Sequence, residues 1–242
     1  MNSYQNKIEL SKVKKSFGEL EILKDITFNV REGELISIVG PSGSGKSTIF
    51  NIITKIINED SGNIVVNGNA SYMYQKDMMV PWKKVIDNIG IPLIFRGSNK
   101  KNAREIVLKY IDMFGLKGFE YKYPTQLSGG MKQRANLLKT YLTSKDIMLL
   151  DEPFAALDSI TRKKMQKWLL DLIKEMKTTI LFITHDIEEA IFLSNRIYVI
   201  SQKPAVIRGE INVNLGGIRE EDIVTDDKFI KIKKEVLNLM KS

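Results

Sequence analysis

The sequence predicts an α/β fold: a strand-rich core around a glycine-rich loop, with an α-helical stretch inserted into it. Three observations carry this. Short β-branched, apolar runs recur at Glu34–Val39, Ile147–Asp151 and Thr179–Thr184, the composition of strands buried on both faces. The first run leads directly into Gly40-Pro41-Ser42-Gly43-Ser44-Gly45-Lys46-Ser47-Thr48, which fits G-x-x-x-x-G-K-[ST] and precedes apolar residues at helical spacing. From about residue 78 to 145 the chain becomes helix-rich, with Pro81, Pro92 and Pro124 at breaks.

Each element has its own signal. Lys7–Val13 alternates charged and apolar residues, as a half-buried strand does. Ile26–Val30 reads as a strand, joined to Glu34–Val39 by the turn Arg31-Glu32-Gly33. Thr48–Ile57 is the helix after the loop; Asp60-Ser61-Gly62 predicts a turn, Asn63–Asn67 a strand and Ser71–Gln75 a short one. In the insert, Ala103–Phe114 is helical by periodicity, and Gly129–Leu142 is a helix started by Ser128. Asp158–Lys177 is an amphipathic helix capped by Asp158 or Ser159, and Asp186–Leu193 a short helix. Ile197–Ile200 and Ala205–Ile211 close the sheet, and Asp226–Lys241 is a terminal amphipathic helix. The expected organisation is one domain over residues 1–242, its core at about 1–77 and 146–242 and its helical subdomain at about 78–145.

Composition narrows the function classes. The chain has no cysteine, which excludes disulfides and thiolate metal sites and fits a reducing cytoplasm. Met1-Asn2-Ser3-Tyr4-Gln5-Asn6-Lys7 lacks the apolar stretch of a signal peptide. No apolar run approaches the roughly 18 residues of a membrane span, so work at a membrane would require docking on something that spans it. The net charge of +8 comes from scattered lysines with no basic block or aromatic-basic stripe, so the reading is a solvated surface and no nucleic-acid partner.

The chemistry concentrates in a few residues. Gly40, Gly43 and Gly45 let backbone N–H groups around Ser42 and Ser44 converge on phosphate oxygens, with the following helix directing its positive end at them. Lys46 supplies charge for the β- and γ-phosphates, Ser47 a hydroxyl for Mg²⁺, and Thr48 a contact to a phosphate oxygen. Asp151 follows four apolar residues at the end of a buried strand, where an unpaired carboxylate is costly and Mg²⁺ is a natural partner. Glu152 follows and points elsewhere, available to polarise a water. His185 is the only histidine; it follows a sheet strand at its carboxyl end, where α/β proteins gather their sites. Ser128 caps a helix whose Gly129 and Gly130 allow close approach of a phosphate; within one chain the same residues are simply a good helix start. Phe17, 29 residues before Lys46, is an aromatic that stacks on a base or packs in a core.

Leu127-Ser128-Gly129-Gly130-Met131-Lys132-Gln133-Arg134, lying between the loop and the Asp151-Glu152 pair, resembles the signature of ATP-binding cassette (ABC) ATPases. From Phe17 to about Val206, seven motifs occur in the family's order: aromatic, phosphate loop, Gln loop, LSGG, Asp-Glu pair, crossing loop and His. The resemblance implies a P-loop core with an antiparallel β subdomain and an inserted helical subdomain. It implies that Phe17 stacks on adenine, and that Gln75 touches Mg²⁺ and the attacking water. It further implies Glu152 as general base, His185 as the residue contacting the γ-phosphate, and Ser128-Gly129-Gly130 closing over ATP held by another subunit. Ala155-Ala156-Leu157-Asp158 resembles the loop that crosses this dimer interface.

Met79-Val80-Pro81-Trp82 with Asp87-Asn88-Ile89 is similar to importers for nitrate, sulfonates, taurine and thiamine-precursor pyrimidines. One departure is Leu138-Lys139-Thr140, where many members carry Ala-Arg-Ala; the helix is still expected to form. The implied function is the ATP-hydrolysing subunit of an importer at the cytoplasmic face of the membrane. It would pair with a second copy or a related ATPase subunit, dock on an integral membrane permease and be served indirectly by a solute-binding protein, with ATP and Mg²⁺ as cofactors. The alternatives are an exporter subunit and a soluble ABC ATPase outside transport.

Overall fold

The computed structural model describes residues 5–76, 78–216 and 219–241; the expectation about a leader rests largely on residues 1–4 and lies outside them. Strands β1 (Asn6–Phe17), β2 (Leu20–Arg31) and β4 (Ser61–Val66) form an antiparallel sheet in the order β2-β1-β4. The second sheet contains β3 (Leu35–Val39), β5 (Ala70–Met73), β6 (Ile147–Asp151), β7 (Thr179–Thr184), β8 (Arg196–Ile200) and β9 (Ile207–Asn212). Its order is β5-β6-β7-β3-β8-β9, with β9 alone antiparallel to its neighbour. Strands β3, β6, β7 and β8 are buried at every position, as their continuous apolar runs require.

Alternation across the second sheet divides the core in two. One face presents Ile36, Ile38, Ile147, Leu149, Leu181 and Ile183 to α1 (Lys46–Ile53) and the antiparallel sheet. The other presents Val39, Met148, Leu150, Ile180 and Phe182 to the remaining helices. These are α2 (Val85–Phe95), α3 (Lys100–Ile111) and α4 (Gly129–Thr143), all between β5 and β6, then α5 (Ser159–Met176), α6 (Ile187–Leu193) and α7 (Asp227–Lys241). Helix α4 forms across Leu138-Lys139-Thr140, with Leu138 and Thr140 buried.

Several boundaries differ from the sequence reading, each for a local reason. The β1–β2 hairpin includes Leu20–Asp25, unrecognised because register shifts between Leu10 and Ser16 break the period of two. Ser61 and Gly62 lie in β4 instead of a turn. Gly62 has φ +100°, and a Cβ there would sit 2.6 Å from the Lys12 carbonyl oxygen, so the glycine marks a close backbone crossing. Helix α1 stops at Ile53 because Lys55 turns left-handed at φ 57°. Strand β5 ends at Met73, leaving Gln75 on the loop beyond it, and β9 starts only at Ile207. Pro92 is inside α2 and not at a break. Burial of Val85, Ile86 and Ile89 against the neighbouring helices outweighs one lost backbone bond near the helix end.

Candidate active site

The loop between β3 and α1 is shaped by its glycines. Gly43 and Gly45 have φ of +76° and +101°, and a Cβ on Gly45 would lie 2.8 Å from the Ile22 side chain on β2. Gly40 is equally constrained: a Cβ there would meet the Ile200 carbonyl oxygen of β8 at 2.6 Å. The loop is thus clamped between the hairpin and the sheet, and α1 starts at Lys46 with its free N–H groups facing the cleft. Lys46 is only 5% exposed. Its ammonium donates to the carbonyls of Gly40 (2.9 Å) and Pro41 (2.7 Å). Burial lowers its pKa, while Glu152 and Asp151 act against that.

The cleft holds about 400 Å³ and is lined by Ser42, Gly43 and Gly45 to Thr48 of the loop together with Gln75, Asp151, Glu152 and Lys203, while Ser44 is buried beneath it. Asp151 ends β6 on the α1 face. Its carboxylate accepts from the Tyr72 hydroxyl at 2.9 Å and from Ser47. Burial raises the Asp151 carboxyl above its usual range, with the two hydroxyls opposing. Burial and the neighbouring Asp151 also raise the Tyr72 phenol, so Tyr72 stays a donor at neutral pH.

Glu152 leaves the strand in a left-handed conformation, φ 45°, its N–H donating to the Ile183 carbonyl at 3.0 Å. That twist turns its side chain away from Asp151's neighbours and toward two groups. Gln75 Nε2 donates to Glu152 Oε2 at 2.9 Å, and His185 Nδ1 lies 3.1 Å from Glu152 Oε1. The His185 ring is 54% exposed and Glu152 only 15%. Residues from four separate elements therefore meet: the loop after β5, the end of β6, the end of β7 and the N-terminus of α1.

The remaining predicted residues sit elsewhere on the chain. Phe17 is half exposed at the β1–β2 hairpin tip, with the Lys15 ammonium 5.5 Å from its ring centroid. Ser128 caps α4, accepting from the Met131 N–H at 3.3 Å. Gly129 and Gly130 run against α5 and the loop before it: added Cβ atoms would meet Leu157 at 3.3 Å and Thr161 at 3.1 Å. Asp158 caps α5, accepting from Ile160 (3.1 Å) and Thr161 (3.0 Å), and these backbone donors hold its carboxyl below the usual range. None of these lines the cleft that holds Lys46.

The sequence reading missed three contributors. Tyr72 fixes Asp151; its signal was strand alternation placing it on the α1 face. Gln133, within the Leu127–Arg134 signature, donates to the Pro153 carbonyl and ties α4 to the segment after Glu152. Lys203, in the β8–β9 turn, lines the cleft with no sequence signal of its own.

The ABC transporter family profile matches residues 23–155. The chain belongs to the ABC transporter family. Among its relatives is the formylaminopyrimidine import ATP-binding protein of Halalkalibacterium halodurans, 44% identical over 76% of this chain and 74% of that protein. The aliphatic sulfonates import ATP-binding protein of Bacillus cereus is 36% identical over 95% of this chain and 94% of its own. A dimeric post-hydrolysis structure of the ATP-binding cassette MJ0796, bound to ADP and phosphate, superposes with TM-score 0.72. It is 30% identical and covers 87% of this chain and 100% of that one. The chain is an ABC ATPase whose relatives include import ATP-binding proteins; its enzymatic activity is ATP hydrolysis, and it binds ATP. Among the described residues, no helix is long and apolar enough to cross a membrane.

Proposed function

We propose that this chain is the ATP-hydrolysing subunit of an ABC importer. It works as a dimer around two ATP molecules on the cytoplasmic face of the membrane, docked on a permease. The observation that carries the catalytic part is the convergence of Gln75 and His185 on Glu152 beside a cleft lined by the phosphate loop. In this reading the loop N–H groups, Ser42, Gly43, Ser44, Lys46 and Thr48 hold the phosphates, and Phe17 stacks on the adenine. Positioning and charge stabilisation supply most of such a reaction.

The donor set fits Mg²⁺. Ser47 and Asp151 share a hydrogen bond in the cleft, Gln75 lines it, and all three offer hard oxygen ligands. Ser47, Asp151 and Gln75 would hold the ion, which when bound neutralises phosphate charge. Glu152 takes the proton of the attacking water at a carboxylate oxygen. Gln75 and His185 hold that carboxylate in place and sense the γ-phosphate. Ser128, Gly129, Gly130 and Asp158, exposed or away from the cleft of their own chain, complete the partner's site.

The helices between β5 and β6, about residues 78–145, form a subdomain that passes closure to the permease near Gln75–Trp82. Trp82 is 77% exposed there. The likeness to formylaminopyrimidine and sulfonate import proteins supports a small anion or organic nutrient as solute, delivered by a separate binding protein.

Glu152→Gln tests this. ATP affinity is expected to stay near wild type while turnover falls by about 10²-fold or more, as loss of a general base does. The closed dimer should accumulate with ATP and co-purify with a multi-span permease. Near-normal steady-state hydrolysis sinks the Glu152 role; ribosomal or DNA-bound partners in place of a permease sink the transport reading.

A further inference from the structure

Behind the Glu152–His185 contact lies a second polar cluster that the hydrolysis scheme does not use. Arg162 stands one turn into α5. Its guanidinium donates to the Leu157 carbonyl at 3.1 Å, inside the Ala155–Asp158 segment, and its other amino group lies 3.7 Å from Asp186. Glu189, on α6, is 6% exposed and accepts from the Thr184 hydroxyl at 2.7 Å. The same hydroxyl accepts from the Asp186 N–H at 3.0 Å. Thr184 and Asp186 flank His185, so Glu189 and Arg162 together grip the turn that carries the imidazole.

Two atoms of this cluster are buried without a hydrogen-bond partner: Arg162 Nε and Glu189 Oε1. Such groups cost free energy unless something satisfies them. Both residues line a cavity of about 200 Å³ that reaches Phe192 and Val224, and both also line a small one of about 40 Å³, whose other walls include Glu152, Ala155 and His185. A polar cavity of that size holds one or two waters.

We infer that Arg162 and Glu189 are positioning residues. Through ordered water in this cavity they tie the Ala155–Asp158 segment to the His185 turn, so that displacement of that segment reaches the His185–Glu152 contact. The inference rests on the proposed roles of His185 and Glu152. It assigns no chemistry to Arg162 or Glu189; both act through His185. The guanidinium reaches two different groups at once, the Leu157 carbonyl and the Asp186 carboxylate: a lysine at 162 would keep a charge near Asp186 but lose the planar fork that serves both.

A double-mutant cycle on the full chain decides it, with kcat and KM for ATP measured for wild type, Arg162→Lys, His185→Ala and the pair. Arg162→Lys should lower kcat about tenfold with KM within about twofold, the scale of a coupling residue. The double variant should be no slower than His185→Ala alone. Glu189→Gln, combined the same way, gives an independent cycle should Arg162→Lys melt below the assay temperature. Wild-type kcat in both Arg162→Lys and Glu189→Gln, or losses that multiply in the double variants, overturn the inference alone. A His185→Ala chain turning over at the wild-type rate overturns the His185 role and this inference with it. A high-resolution crystal structure should show water contacting Arg162 Nε and Glu189 Oε1; a dry cavity overturns the bridge.

Discussion

At the scale of single residues, this site is made of side chains that cost stability where they stand. Lys46 and Asp151 are both nearly buried, and burial disfavours the charged form of each. Lys46→Ala should weaken ATP binding at least tenfold in a fluorescent-nucleotide titration, since a buried cation aimed at phosphate is lost; unchanged affinity would count against the phosphate-loop role. Glu189 makes the same point through pH. Burial pushes its carboxyl up to about 7, with Asp186 and Glu152 adding to the rise and Thr184 and Arg162 opposing it. Because the folded value exceeds the unfolded one for an acid, folding stability falls as pH rises from about 4.5 to about 7. Glu189→Gln should therefore raise the melting temperature more at pH 8 than at pH 5. An equal shift at both pH values would show that the carboxyl is not held as an acid. A residue kept at such a cost fits a functional role.

At the scale of elements, the sheet places the chemistry and a few polar ties hold the sheet. Arg196 at the start of β8 is 5% exposed and donates to Glu34 (2.8 Å), Glu210 (2.8 Å) and Asn29 (2.9 Å), joining β2, β9 and the residue before β3. The bond from Arg196 holds the Glu210 carboxyl below its usual range. Its contribution is present above the unfolded value near 4.5 and is lost as pH falls through the lower folded value. Arg196→Met should cost about 1–2 kcal/mol in urea unfolding at pH 7, because Glu34 and Glu210, 16% and 40% exposed, lose their partner while keeping some contact with water. The deficit should shrink below pH 4. A second tie is the Asp87–Arg104 pair, with bonds of 2.7 and 2.8 Å, which fixes α2 against α3 in the helical stretch.

At the scale of the whole molecule, the signature glycines and the phosphate loop do not share a pocket within one chain. Ser128 and Gly129 are exposed, and Lys46 opens onto a different cleft. In the proposed dimer, a site completed by a second copy accounts for Ser128 and Gly129 being held open to solvent at a helix N-terminus. Ser128→Arg should leave nucleotide binding to the single chain intact while abolishing the ATP-dependent dimer in size-exclusion chromatography of the Glu152→Gln background. A variant that still dimerises would contradict the shared site.

By itself, the sequence determined the local chemistry: a glycine-rich loop between a strand and a helix, carboxylates at the end of an apolar run, and a serine cap inside LSGG. These are set by neighbours in the chain, through φ, spacing and capping, so they are legible residue by residue. The bulged hairpin from Leu20 and the helix through Pro92 were not, because burial against distant elements overrode the local period and the local breaker. Only tertiary structure decided that Gln75, Glu152 and His185, spread over 110 residues of chain, meet within hydrogen-bond distance. It alone also brought Tyr72 to Asp151 and Arg162 beside Glu189. Such contacts depend on strand order and register, which long-range packing selects and which no short stretch of sequence encodes.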